Sequence, residues 1–291
     1  MMFFNTIKLL GRSLTLKFFG EDAQYANDYN IAAATYDDYY SRYLGKSSLE
    51  LMMHLPLKPG MKIIDLACGT GFFSQRIAPQ LGPQGKLIAV DLSSRMLEKN
   101  REHAKQAVLS NIEFLEADAL LFLQQQDNAS VDGAVCDWGI CYMDHAALRK
   151  ELERVVRPGG FLGTIENRAC TLADVSGLFQ NVLIQHPTAI VKNVAIDLPK
   201  DYRYLLKAFT GKAFKSVYAL DSSVVIPCAN GQEIADYILK SGGAAGFIDA
   251  LDKKKIDMVM EAFVREADRR LAAGKPISVR YEWSMLVAER L

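Results

Sequence analysis

The residues with the clearest chemical potential are a glycine turn and a carboxylate that follows it along the chain. Residues 63–66 form a short apolar strand that runs into Gly69, Thr70 and Gly71. A second apolar run, residues 86–90, ends on Asp91. Glycine lets a ligand approach the backbone closely, and a carboxylate at the tip of the next strand accepts hydrogen bonds from two ribose hydroxyls. The spacing therefore predicts a nucleoside site.

The residues after the turn decide between two kinds of nucleoside ligand. A dinucleotide site needs a third glycine, in the pattern G-x-G-x-x-G, so that the next helix can receive a pyrophosphate. Here Phe72, Phe73 and Ser74 follow Gly71, and the bulky pair would crowd a pyrophosphate. Asp65, inside the strand before the turn, can hold the loop through backbone amides or meet a ligand ammonium. A strand, turn and helix without any ligand is the alternative interpretation.

The segment DLACGTGFFS, from Asp65, resembles the first motif of the class I S-adenosylmethionine (SAM) dependent methyltransferases, D-x-x-x-G-x-G. The resemblance spans about residues 58–168. In that family the Asp after the third strand meets the adenine amine, and the next backbone amide meets a ring nitrogen; these positions correspond here to Asp118 and Ala119. The resemblance implies SAM as cofactor, S-adenosylhomocysteine as product, and no metal. The cofactor-binding residues it implies are Tyr36, Asp65, Ala67, Gly69, Gly71, Asp91, Leu92, Met96, Asp118, Ala119, Asp137 and Trp138.

Downstream segments match the same family in order. Strands are expected at 111–119 and 130–137, a helix at 144–156, and a turn at Arg157, Pro158, Gly159 and Gly160 into a fifth strand. Proline cannot continue the helix, and glycine supplies the turn. The fold predicted is a Rossmann-like α/β class I methyltransferase fold. Its seven-stranded, mostly parallel sheet has an antiparallel last strand, 277–289, with an N-terminal helical lid and a helical cap. For the sixth strand, 242–247 and 216–226 compete.

Composition agrees with a globular enzyme and limits its partners. Lys+Arg and Asp+Glu both total 34, so no broad basic surface is implied, which weighs against nucleic acid as the partner. The cysteine number is odd, 5, and the residues are scattered, so we expect reduced thiols in a cytoplasmic protein. Four segments are predicted: a lid at 1–57, the SAM-binding core at 58–168, a substrate cap at 169–230, and the C-terminal part of the core sheet at 231–291.

The first twenty residues form a basic amphipathic segment. Its apolar residues approximate a helical stripe, and its charges are Lys8, Arg12 and Lys17. The stripe predicts a helix packed over the domain. The alternative is a helix that makes weak contact with a membrane surface. A second segment, 24–45, is rich in tyrosine, with Tyr29, Tyr36, Tyr40 and Tyr43 predicted near one helical face.

Methyl transfer from SAM needs alignment and exclusion of water, and it needs a base only for a poorly ionised acceptor. The candidate bases are Asp137, His145, Glu166 and His186, each of which has a structural alternative. The place after the fourth strand lacks the (N/D)-P-P-(Y/F) motif of base and glutamine methyltransferases. The chain most resembles the menaquinone/ubiquinone-biosynthesis and small-molecule branch, which implies a small, hydrophobic or aromatic acceptor. A membrane-associated quinone or lipid methyltransferase and a non-catalytic SAM-binding protein are the alternatives.

Overall fold

The computed structural model describes residues 2–291, and its seven strands form one sheet in the order β3-β2-β1-β4-β5-β7-β6. The strands are β1 (Lys62–Leu66), β2 (Lys86–Asp91), β3 (Ile112–Glu116), β4 (Val131–Asp137), β5 (Val156–Asn167), β6 (Phe214–Ile226) and β7 (Val279–Arg290). The pairs β1–β2, β2–β3, β1–β4 and β4–β5 are parallel, and β7 runs antiparallel to β5. The predicted sheet and its antiparallel last strand are confirmed.

Helices precede, connect and follow these strands. They are α1 (Met2–Phe19), α2 (Tyr25–Ala32), α3 (Arg42–Met53), α4 (Ser74–Leu81), α5 (Ser94–Gln106), α6 (Ala119–Gln124), α7 (His145–Val155), α8 (Ala173–Gln185), α9 (Tyr202–Phe209), α10 (Gly231–Lys240) and α11 (Ile256–Ala272). Connecting helices allow neighbouring strands to run in the same direction, which parallel pairing requires.

The chain forms two compact units, each assembled from separate stretches. One contains the chain up to Tyr40, Leu172–Ala195 and Val224–Tyr281; the other contains Ser41–Thr171, Ile196–Ser223 and Glu282–Leu291. The second, here called the sheet unit, carries most of the sheet. Its core is apolar side chains of β1, β2, β4 and β5 with those of α6, α7 and α9, as expected for parallel strands covered by helices. The division into compact units does not show whether a segment covers a ligand, so the lid and the cap remain predictions.

Three local expectations need correction. The sixth strand is β6, because residues 242–247 form turns in which Gly242 and Gly246 have φ of +71° and +83°, outside the extended region. The expected turn before the fifth strand lies inside the start of β5, where the register with β4 shifts. The tyrosine-rich segment is not one helix, because α2 ends at Ala32 and a π-helical turn at Asp37–Ser41 precedes α3.

The N-terminal helix forms as predicted but does not pack by its apolar stripe. Helix α1 lies against α8, with Leu9 and Leu16 half-buried. The large apolar side chains of the stripe are instead exposed: Phe3, Phe4, Ile7, Leu10, Leu14, Phe18 and Phe19. The expected packing of that stripe is therefore wrong. Among residues 2–291, no helix combines the length and the hydropathy needed to span a membrane.

Candidate active site

The predicted site residues meet at one edge of the sheet because parallel strands end side by side. Strand β1 lies between β2 and β4, and β4 also pairs with β5. The carboxyl ends of these strands therefore bring Asp91, Asp137 and Glu166 to the same edge as the turn after Leu66. In open α/β sheets, ligands bind outside the carboxyl ends, where the strand order reverses. Here that point lies between β1 and β4.

The two glycines of the turn have different roles. Gly69 has φ of +54°, and a Cβ added to it would meet no heavy atom within 4 Å among the described residues. Its backbone therefore faces open space, as a ligand cradle requires. Gly71 has φ of +93°, and a Cβ there would lie 2.1 Å from Oδ1 of Asn100. Gly71 thus permits the close approach of α5 to the loop.

A buried polar chain holds the loop from behind. Nδ2 of Asn100 donates to Oγ of Ser74 at 3.1 Å, and Ser74 donates to Oδ2 of Asp65 at 2.7 Å. Asn100 also accepts from Gln75 at 2.7 Å. Movement of any of these side chains would break a hydrogen bond and leave the partner group buried without one, which is costly. The sequence prediction did not include Ser74 or Asn100.

The Asp91 carboxylate positions the loop while keeping capacity for a ligand. Its Oδ2 accepts from the amide of Gly69 at 2.8 Å, and its Oδ1 accepts from the amide of Ser93 at 2.8 Å. A carboxylate offers about four acceptor sites, so these bonds leave Asp91 capacity to accept from a ligand. Burial raises the pKa of Asp91 above its usual value. Of the neighbouring predicted contacts, Leu92 is exposed and Met96 is buried.

Asp118 has a structural role at the start of α6. It is exposed, and its Oδ1 accepts from the amide of Leu121 at 2.9 Å, which caps the helix. The adjacent residue Ala117 donates its amide to the carbonyl of Asp91 at 3.0 Å, so β3 delivers Asp118 and Ala119 beside β2. The backbone that carries the two predicted adenine-binding residues is therefore held in place by these hydrogen bonds.

Asp65 supplies the test of whether a cationic cofactor fits this loop. The residue is fully buried, and burial raises its pKa to about 7, with a further rise from the nearby charge of Asp91. Within residues 2–291, its Oδ1 has no hydrogen-bond partner, whereas Oδ2 is held by Ser74. A buried acceptor without a partner is costly. A ligand ammonium would donate to that acceptor, so this carboxylate fits the cationic end of SAM.

A second polar chain lies at the end of β4. Nε1 of Trp138 donates to Oγ of Ser48 at 2.9 Å, and Ser48 in turn donates to Asp137, whose Oδ1 lies at 2.9 Å. Trp138 has φ of +66°, a strained conformation for a bulky residue, and its ring meets Trp283 edge-to-face at 6.4 Å between centroids. Burial raises the pKa of Asp137 well above its ordinary value. The structure thus places a buried carboxyl with a raised pKa next to Trp138, whose ring contacts Trp283.

Glu166 ties β5 to the segment after β4. The residue is fully buried, and its two oxygens accept from the amides of Cys141 at 3.0 Å and Asn167 at 2.8 Å. Burial raises its pKa to about 7. These contacts give Glu166 a structural function in addition to its predicted candidacy as a base.

The remaining predicted residues are placed differently. His145 is buried. Its Nε2 donates to the carbonyl of Ile140 at 3.1 Å, because a carbonyl oxygen only accepts, and its Nδ1 lies 2.9 Å from the Tyr204 hydroxyl. Both of its nitrogens are therefore engaged within the sheet unit. His186 and Tyr36 belong to the other compact unit, where the Tyr36 ring stacks on Tyr40 at 4.9 Å.

Comparison with known proteins agrees with this fold. A family described as "Methyltransferase domain" matches residues 57–207. That span is more than half of the chain, so the chain belongs to the methyltransferase-domain family. The fold is that of the class I enzymes, as the motif from Asp65 predicts.

Individual relatives extend the comparison. The ubiquinone/menaquinone biosynthesis C-methyltransferase of Coxiella burnetii is 33% identical over 156 residues, which are 52% of this chain and 60% of that protein. The demethylmenaquinone methyltransferase of Listeria welshimeri is 27% identical, covering 71% of this chain and 84% of that one. The crystal structure of a methyltransferase candidate from Bacillus halodurans superposes with a TM-score of 0.58 at 17% identity, over 84% of this chain and 99% of that chain. The chain spans about 60% of the first curated relative's length.

Proposed function

We propose that this protein transfers a methyl group from SAM to a small organic acceptor. The observation that carries the proposal is the buried Oδ1 of Asp65, which has no partner among residues 2–291 and lies in the strand that runs into the loop of Gly69, whose backbone faces open space. A dinucleotide has no ammonium to satisfy Asp65 and would instead bring a pyrophosphate, which that carboxylate would repel. An ammonium and a ribose suit the carboxylates of Asp65 and Asp91.

Each of the predicted contact residues would bind a different part of the cofactor. Asp91 would accept from the ribose hydroxyls, Asp65 from the ammonium, and Asp118 from the adenine amine, with Ala119 donating its amide to the ring. The backbone of Ala67, Gly69 and Gly71 would line the path between them, with Leu92 and Met96 beside the adenine. Tyr36 remains a predicted contact of the SAM carboxylate.

When bound, SAM supplies a methyl group on a positively charged sulfur, so transfer is an in-line displacement that depends on alignment. The protein's own contribution is to orient the acceptor and to exclude water. Asp137 would take the proton of a hydroxyl or an ammonium on the acceptor, since its pKa is already raised and Ser48 orients both of its oxygens. Trp138 and Trp283 would provide apolar, aromatic surface beside that carboxyl.

For the acceptor, we propose a molecule with a hydrophobic or aromatic body. The two indoles at this edge of the sheet favour such a body, because ligand pockets are mostly apolar with few polar groups. The quinone-related names of the curated relatives point in the same direction. A non-catalytic SAM-binding protein is the alternative from another class.

The proposal is tested by calorimetry with SAM, S-adenosylhomocysteine and NAD. We expect the first two to bind and NAD to give no heat. Incubation with methyl-labelled SAM and small aromatic acceptors then separates an enzyme from a binding protein. Binding of NAD without a response to SAM would exclude the proposed function, and SAM binding without labelled product from any acceptor would favour the non-catalytic alternative.

The pH dependence of SAM affinity tests the role of Asp65. Its usual pKa of 3.8 is raised to about 7 in the free protein, so the carboxyl is half protonated near pH 7 and mostly protonated below it. A bound ammonium requires the ionised form, so binding releases a proton, and affinity should fall by up to about tenfold per pH unit below 7. Calorimetry between about pH 5.5 and 7.5 measures this slope of SAM affinity against pH.

Two variants make that measurement specific. Asp65→Asn should bind SAM weakly and with a flat profile, because no proton is released. Glu166→Gln is the matched control: its carboxyl is equally buried and its pKa is also raised to about 7, but both of its oxygens meet backbone amides. A slope that survives in Asp65→Asn and disappears in Glu166→Gln would move the ammonium to the other carboxylate.

A further inference from the structure

Helix α1 presents a hydrophobic face that its own compact unit does not cover. Five of its apolar side chains expose between 52% and 76% of their surface: Phe3, Ile7, Leu10, Leu14 and Phe18. At 3.6 residues per turn, these five lie within about 80° of one another around the helix axis. We call this set the outer stripe. A contiguous exposed stripe of this size is unusual on a soluble surface and marks an interaction site.

The opposite side of the same helix is the side that packs. Leu9 and Leu16 are half-buried, α1 lies against α8, and Arg12 donates to the carbonyl of Ile190. The helix is therefore anchored to the protein by one face while it presents the other. Its outer stripe is available without any rearrangement of the helix.

The charges of α1 select the kind of partner. Residues 2–19 contain no acidic side chain, and Lys8 and Lys17 are exposed on either side of the outer stripe. An apolar stripe between cations is the pattern of helices that lie in the interface of an anionic membrane, with their apolar face among the acyl chains and their cations at the headgroups. A second copy of α1 would bring more cations and no acidic residue in the helix to pair with them.

We propose that α1 is an interfacial membrane helix that holds this protein reversibly on anionic lipid bilayers through its outer stripe. The helix lies parallel to the surface, because Leu9 and Leu16 keep its opposite face against the protein. The inference does not depend on the proposed methyl transfer, and it is measured on the protein without cofactor.

Vesicle co-sedimentation tests the inference. The unmodified protein should sediment with vesicles of phosphatidylcholine and phosphatidylglycerol, and much less with phosphatidylcholine alone. The variant Leu10→Gln/Leu14→Gln/Phe18→Gln keeps good helix formers and should lower the bound-to-free ratio by at least about tenfold, because the apolar face is lost. Lys8→Gln/Lys17→Gln should remove the preference for anionic lipid.

A matched control and a local probe complete the experiment. Val108→Thr/Val217→Thr/Val225→Thr changes three other exposed apolar side chains and should sediment like the unmodified protein. Phe18→Trp should show a blue-shifted emission with anionic vesicles and quenching by brominated lipid, whereas Val217→Trp should show neither. Equal thermal unfolding of all variants shows that each is folded.

Two outcomes would overturn the inference. One is an unmodified protein that stays in the supernatant with anionic vesicles. The other is a dimer, measured by light scattering without lipid, that the triple glutamine variant converts to a monomer, since the occupant would then be a second copy of this chain.

Discussion

Gly71→Ala is expected to destabilise the protein by about 2–5 kcal/mol, the sum of two costs. The first is overpacking, because the new Cβ would lie 2.1 Å from Oδ1 of Asn100, at about 1–3 kcal/mol. The second is the φ of +93°, which costs an L-residue about 1–2 kcal/mol. Asn100 cannot swing away cheaply, because it is fully buried and bonded to Ser74 and Gln75. Urea unfolding measures the change.

Two further variants separate the clash from the backbone strain. Gly60→Ala has a similar φ of +84° but its Cβ would meet nothing within 4 Å of the described chain, so it should show only the strain. Gly71→Ala/Asn100→Ala removes the clashing atoms, and its loss should be smaller than the sum of the single losses. Additive losses in the double variant would show that the loop and α5 do not approach as described.

Asp91→Ala is expected to weaken SAM binding by about 10- to 150-fold, since hydrogen bonds to a charged acceptor contribute about 1.5–3 kcal/mol. The variant also leaves the amides of Gly69 and Ser93 without their acceptor, so the loop that cradles the cofactor loosens. Calorimetry measures the affinity, and thermal unfolding measures the loss of stability separately.

The control for Asp91 is a carboxylate with a similar structural role and no predicted ligand contact. Asp144 accepts from the amide of Ala147 at 2.7 Å at the start of α7. Asp144→Ala should lose about 0.5–2 kcal/mol of stability, the usual cost of a lost cap, with unchanged SAM affinity. If both variants weakened SAM binding equally, the effect of Asp91→Ala would come from a general loss of stability, and the ribose would be held elsewhere.

The sequence predicted the structure best where the residues that determine a feature lie close together in the chain. The glycine turn after a buried strand, and the carboxylate at the tip of the next strand, predict the placement of Gly69 and Asp91 because parallel strands must end at one edge. Residues 242–247 misled for the opposite reason. A glycine-rich segment is compatible with a strand or with turns, and only the positive φ of Gly242 and Gly246 shows that it is turns.

The sequence by itself determined the fold class, the family and the loop that would hold the cofactor, since these depend on periodicity and on residues close together in the chain. The tertiary structure decided the partners across the chain: Ser48 with Asp137, 89 positions apart, and Asn100 with the loop that begins at Asp65. It also decided which face of α1 packs. That helix is apolar on two sides, so its pattern suits either face, and only the position of α8 leaves the outer stripe exposed.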